Sequence, residues 1–305
     1  MLFSTLIWAT PPPIINGTEL TEGYEEVGAL VASNGVEDVL FCSGTLIAPK
    51  YFLTAAHCIS AMSSYDEQGL DIKVIFGHIQ EEPVQVSGIE RWVSHPDFEP
   101  STLNHDLGIV VLETELSITT PLISDAIPDD SWFDRPAVYV GWGVTSDGAV
   151  DADTKRYANI PYYFFDAWTH YGVDLSGQTN LCTGDSGGPM YFSPSEANPV
   201  LLIGVNSFVF SILDPEVPCL GGGSGSVRLD RYIDWLAQEA PGIQIWEDAD
   251  VDSGLSEDIS EENSESETDQ ETEKNKEQRA TCNNFSSEFG GLGFFWLLAV
   301  LYRRQ

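Results

Sequence analysis

Thr183-Gly184-Asp185-Ser186-Gly187-Gly188-Pro189 sets a serine beside a carboxylate among three glycines, and Thr54-Ala55-Ala56-His57-Cys58 supplies an imidazole far upstream. A serine hydroxyl is too weakly acidic to attack an amide at neutral pH. It needs a neighbouring imidazole as base and a third group to orient that imidazole. Asn104-His105-Asp106 precedes the apolar run Leu107-Gly108-Ile109-Val110-Val111-Leu112, which places one carboxylate at the edge of a buried strand. His57, Asp106 and Ser186 are therefore the candidate base, orienting acid and nucleophile, in that chain order. His78, His95, His105 and His170 have no motif around them and receive no role. No His/Cys cluster shows ligand spacing, so no metal or other cofactor is expected.

Further motifs flank this set in order. Cys42-Ser43-Gly44-Thr45-Leu46-Ile47 precedes the histidine, Gly141-Trp142-Gly143 lies mid-chain, Ile14-Ile15-Asn16-Gly17 lies near the start, and Arg231-Tyr232-Ile233-Asp234-Trp235-Leu236 follows the serine. With the chain order His57, Asp106, Ser186, these stretches resemble the trypsin/chymotrypsin-like (S1) serine proteases over roughly residues 14–240. The resemblance implies an all-β fold of two six-stranded antiparallel barrels with a C-terminal helix and the active site in the cleft between them. It implies attack by Ser186, proton transfer by His57, and an Asp106 that fixes the tautomer and stabilises the imidazolium. The backbone N–H groups of Gly184 and Ser186 would face the developing oxyanion. Cleavage before Ile14 would free an α-amine to pair with Asp185, a carboxylate costly to bury unpaired. Pro11-Pro12-Pro13 precedes that bond, so activation after Arg or Lys is not available and another maturation protease is required.

The resemblance also assigns a substrate pocket. Asn180 stands at the floor position, where trypsin-like enzymes carry an aspartate, and Ser207-Phe208-Val209 forms one wall opposite Ser224 and Gly225. A neutral amide forfeits the ion pair with Lys or Arg, and Val209 would narrow the pocket, so small or medium apolar residues are expected before the scissile bond. Of the five cysteines, Cys42 would pair with Cys58 and Cys182 with Cys219, leaving Cys282 alone. Paired disulfides imply an oxidising compartment.

Composition supports a globular domain followed by something different. The length of 305 residues gives a prior of about two domains at ~150 residues each, and 42% hydrophobic residues suffice for a core. Short runs such as Val27-Gly28-Ala29-Leu30-Val31, Val74-Ile75-Phe76-Gly77, Ala137-Val138-Tyr139-Val140 and Val200-Leu201-Leu202-Ile203-Gly204-Val205 read as strands ended by turn residues.

The net charge is −35, and its densest stretch is in the tail, with 14 acidic residues between Glu247 and Gln278 against Lys274 and Lys276. Such a segment cannot bury enough apolar area to offset its ordering entropy, and nucleic acid is excluded because phosphate binding needs clustered Lys and Arg. The expected order is a partial signal or propeptide over 1–13, the protease domain over 14–240, a disordered acidic linker over 241–288 and a short apolar tail helix over 289–305. The apolar core after Gly290-Gly291 is shorter than a comfortable span and ends in Arg303 and Arg304, as positive-inside topology prefers.

This tail resembles the GlyGly-type sorting tails of Gram-negative bacteria. It implies transient inner-membrane anchoring, cleavage by a rhomboid-type protease and release of the protein to the cell surface or outside. Protein or peptide substrates complete the expected partners. A protease-fold binding or adhesion protein with weak or no catalysis is the alternative reading.

Overall fold

A computed structural model describes residues 14–246, except 196, 197 and 215. Residues 1–13, Cys282, and the acidic linker and apolar tail beyond Trp246 lie outside the described residues. The first strand, β1 (Thr18–Glu19), is a short arm, after which the chain builds two sheets in sequence.

The first sheet takes β2 (Val27–Ser33), β3 (Asp38–Ala48), β4 (Tyr51–Thr54), β5 (Asp71–Phe76), β6 (Gln85–Ser87), β7 (Ile89–Ser94) and β8 (Gly108–Leu112). Its order is β6-β5-β2-β3-β4-β8-β7, with every pair antiparallel. Strand β2 is buried along its whole length because it lies between β3 and β5, which explains its unbroken run of small and apolar residues. Phe52 and Phe76 meet edge to face inside, with centroids 5.8 Å apart, among Leu30, Leu46, Val74 and Ile109. Each such side chain contributes about 1.5–3 kcal/mol on full burial.

The second sheet contains β9 (Leu122–Ser124), β10 (Pro136–Gly141), β11 (Arg156–Phe165), β12 (Thr169–Val173), β13 (Pro189–Phe192), β14 (Leu201–Ser211), β15 (Gly222–Arg228) and β16 (Gln244–Trp246). Strands β10-β11-β12-β15-β14-β13 run in that order, and β13 pairs back onto β10. This closes a six-strand ring. Tyr139, Ile160, Tyr162, Met190, Phe192 and Ile203 fill it. The tyrosine hydroxyl of Tyr162 lies 2.7 Å from His170 Nδ1 in this interior, so the buried imidazole is a satisfied core group. Burial holds its pKa down at about 3.

The chymotrypsin-like, mostly β architecture expected from the sequence is therefore present, with one difference in closure. The first sheet is a half-barrel whose end strands β6 and β7 are separated by Gly88 alone. The Gly88 carbonyl accepts from Glu113 N (3.0 Å) and from Ser87 Oγ (2.9 Å). The edge strand thus breaks where it changes partner, and among the described residues no ladder seals the seam.

Two helices decorate the sheets: α1 (Ala56–Glu67), which was not expected, and α2 (Ile233–Glu239), the expected closing helix. Past residue 240 the chain continues into β16, which pairs in parallel with β9. The folded unit therefore reaches beyond the boundary expected at 240. Among the described residues no helix is long and apolar enough to cross a membrane.

Candidate active site

Strand pairing sets the first two groups side by side. Strands β4 and β8 are in register with Thr54 opposite Gly108, so the chain after β4 and the chain before β8 emerge at one edge. His57 occupies the first turn of α1 and Asp106 lies just before β8. His57 Nδ1 lies 2.7 Å from Asp106 Oδ2, and the His57 backbone N–H donates to Asp106 Oδ1 at 2.8 Å. Asp106 is wholly buried, whereas the His57 side chain is 30% exposed, leaving its ring face open to the cleft. Ser207 Oγ supplies a third donor, 2.5 Å from Asp106 Oδ2. Three donors compensate the desolvation of this carboxylate.

Ser186 belongs to the turn entering β13, and β3 ties that turn down. Ser43 N donates to the Ser186 carbonyl (2.8 Å), Ser43 Oγ donates to the Gly184 carbonyl (2.7 Å), and Trp142 N donates to Ser43 Oγ (2.9 Å). Gly187 adopts φ +83°, and a Cβ there would collide with Thr54 Oγ1 and the Ser43 carbonyl. Only glycine permits that approach of the two halves. Among the described residues, the N–H groups of Gly184 and Ser186 donate to no protein acceptor. Both disulfides expected from the resemblance are formed, Cys42–Cys58 and Cys182–Cys219. The sulfur of Cys58 lies 3.7 Å from His57 Nε2.

Asp185 sits directly behind the turn, 1% exposed. Its Oδ1 accepts from Gly143 N (2.8 Å) and its Oδ2 from Cys182 N (2.9 Å). A Cβ on Gly143 would lie 2.5 Å from the carboxyl carbon, so the Gly-Trp-Gly stretch carries glycine because the carboxylate packs against bare backbone. Burial pushes the Asp185 pKa up to about 7, against the lowering pull of its two N–H donors. Ile14 is fully buried in the core of the closed barrel. Ile15 N donates to the Asn180 carbonyl at 2.9 Å. In the continuous chain the Ile14 nitrogen is an amide, and among the described residues Asp185 has no cationic contact within ion-pair distance.

A cavity of about 520 Å³ opens around Ser186, lined by His57, Phe41, Tyr65, Ser207, Phe208 and Val209 among others. Asn180 is not on its wall. It is buried, donates through Nδ2 to the Pro218 carbonyl (3.3 Å), and keeps an unpartnered Oδ1. The facing strand is in register with Phe208 opposite Gly225 and Val209 opposite Ser224, and the Phe208 ring lies over the Gly225 backbone. Sequence reasoning missed Ser43, Phe41 and Tyr65, and it read Ser207 as wall alone. The hydroxyl of Ser207 reaches Asp106, a residue 101 positions away. Ser43 lies in the stretch Cys42-Ser43-Gly44-Thr45-Leu46-Ile47, but no local signal distinguishes a hydroxyl bound for a distant loop.

A closed β-barrel and a β half-barrel sharing a cleft, with a serine on one wall and an imidazole–carboxylate pair on the other, define a hydrolase layout of the serine-nucleophile class. Comparison with known proteins narrows that class. The Trypsin family profile matches residues 14–236. The chain is 31% identical to the trypsin of Saccharopolyspora erythraea over 69% of this chain and 90% of that protein. It is 25% identical to brachyurin of Leptuca pugilator over 66% of this chain and 88% of that protein. The chain belongs to the trypsin family of serine proteases.

Proposed function

We propose that this protein is a secreted or surface-displayed serine endopeptidase. The observation that carries the reading is the 2.7 Å His57–Asp106 pair on the same cleft as Ser186 and its two unused N–H donors. Ser186 Oγ attacks the scissile carbonyl while its proton passes to His57 Nε2. Asp106 holds Nδ1–H and stabilises the imidazolium. The carbonyl oxygen takes the charge and meets the N–H groups of Gly184 and Ser186. His57 then returns the proton to the leaving amine while the acyl group stays on Ser186; a water molecule deprotonated by His57 attacks the acyl carbon, and His57 gives that proton to Ser186 Oγ as the acid leaves.

Val209 on the cleft wall supports a preference for small or medium apolar side chains, and the neutral Asn180, set back from that wall, presents no carboxylate to a Lys or Arg side chain. The mature form begins at Ile14, whose freed amine supplies the cation that Asp185 lacks in the continuous chain. A separate protease makes that cut. The acidic segment from Glu247 acts as a spacer, and the apolar end from Phe289 acts as a sorting tail removed near Gly290-Gly291. Two disulfides and family membership support an exported location.

Fluorophosphonate labelling tests the reading, because the reagent requires an activated serine. Exported wild-type protein is labelled and cleaves a peptide library, whereas Ser186→Ala does neither. Failure of the correctly matured protein to react overturns the proposal.

A further inference from the structure

A second cavity, of about 570 Å³, shares no lining residue with the one around Ser186. It lies where the turn before β2, the β5–β6 hairpin and the segment 117–121 meet. Its polar lining is rich in acceptors beside the hydroxyls of Ser117, Thr119 and Thr120. Glu25 and Glu26 present carboxylates, and Gln85 Oε1 and His78 Nδ1 are buried with no hydrogen-bond partner. Burial and the nearby Lys155 charge hold the His78 pKa below its ordinary value, so the neutral ring can offer Nδ1 as an acceptor. Gln85 Oε1 and His78 Nδ1 then ask for donors, while Glu25 and Glu26, which accept from Gly23 N (2.9 Å) and the Tyr191 hydroxyl (2.5 Å), keep further lone pairs for a ligand. Buried acceptors left unmet are destabilising, and a ligand rich in N–H groups satisfies them.

Charge points the same way. The cation facing Glu25 and Glu26 from within is Lys155, which is wholly buried and whose Nζ already donates to the carbonyls of Tyr24 (2.6 Å) and Val27 (3.2 Å). Two carboxylates against one ammonium leave a single negative charge for an incoming monocation. The remaining walls, including Phe76, Ile118, Pro121 and the paired rings of Tyr24 and Tyr191 (centroids 5.4 Å apart), suit an alkyl stem and a planar cation packed on aromatic faces.

We propose that this cavity binds an alkylguanidinium group, presented either by a free small molecule or by an arginine side chain of a protein partner. It is distinct from the catalytic cleft and does not depend on the proposed chemistry there.

The test uses the full-length Ser186→Ala protein, so that peptide probes survive, and isothermal calorimetry with the monocation butylguanidine and with the capped tripeptide Gly-Arg-Gly. Binding of either probe, weakened roughly tenfold or more in Glu25→Gln/Glu26→Gln, supports the site. Tighter binding of butylguanidine identifies a free cation as the source, and tighter binding of the peptide identifies a protein arginine. Val84→Trp provides an independent check. Val84 is 78% exposed at the rim, so a tryptophan there plugs the mouth without disturbing the core. No binding by either probe tighter than about 10 mM, or binding that both variants leave unchanged, overturns the proposal.

Discussion

Asp106 and Asp185 are both buried carboxylates, yet they are compensated in opposite ways. Asp106 is met by the ring and backbone of His57 and by the hydroxyl of Ser207, groups drawn from both halves of the molecule. Asp185 is met by two backbone N–H groups of neighbouring loops and by no side chain. The first arrangement orients a movable proton carrier. The second holds a turn in shape, and without a cation its carboxyl group retains a proton up to about pH 7. A buried acid therefore does what its donors allow: side-chain donors make it a chemical partner, and backbone donors make it a brace.

The sharpest way to break this contrast is Asp106→Asn. The amide keeps the shape but presents its own N–H to the ring, which favours the wrong tautomer. Peptide hydrolysis is expected to fall by roughly 10⁴-fold while folding is retained. A loss of less than about tenfold in kcat removes Asp106 from the proposed mechanism.

On the other side, Gly143→Ala forces a methyl group against the Asp185 carboxyl carbon. Overpacking of this kind costs about 1–3 kcal/mol. The brace should shift enough to lower both the urea midpoint and the rate of fluorophosphonate labelling. An unchanged midpoint with full labelling shows that the turn does not depend on this contact.

The pH dependence of the uncleaved chain sharpens the comparison further. Burial raises Asp185 to about 7 from an ordinary value of 3.8, so the folded protein holds a proton that the unfolded chain has released. Its contribution to stability is present in full below pH 3.8, drains as pH rises toward 7, and is level above that. Asp185→Asn removes this slope. Compared with wild type, the variant's unfolding free energy should change less between about pH 4 and about pH 7, as read by urea titration. A wild-type slope that survives the substitution assigns it to other groups.

The smallest expected effect is that of Ser207→Ala. It deletes one of three donors to Asp106 and leaves His57 in place. Hydrogen bonds to charged groups are worth about 1.5–3 kcal/mol, so kcat should fall by roughly tenfold. Ser207→Thr should restore part of the rate, whereas an alanine variant with unchanged kcat makes this hydroxyl a packing group only.

Much of this was legible because it is local. The strands that became β2, β5, β10 and β14 stand out as apolar runs ended by turn residues, and the glycines around Ser186 reflect backbone positions that exclude a Cβ. Helix α1 escaped notice, although its buried Ala56, Ile59 and Met62 carry a helical spacing. The serine-rich remainder of that segment masks the period, and packing against the half-barrel supplies the stability that propensity does not.

The sequence alone determined the order of the three candidate catalytic groups and the strand content of the domain, because each depends on residue type and short-range spacing, whereas the pairing of the four cysteines came from the family resemblance. Only the tertiary structure decided that Ser207 reaches Asp106, that Asp185 is braced by backbone N–H groups, that Asn180 stands off the cleft wall, and that one barrel closes while the other remains open. Those outcomes depend on which loops meet across the interface between the two sheets. A hydrogen bond spanning 101 residues leaves no periodicity in the chain that forms it.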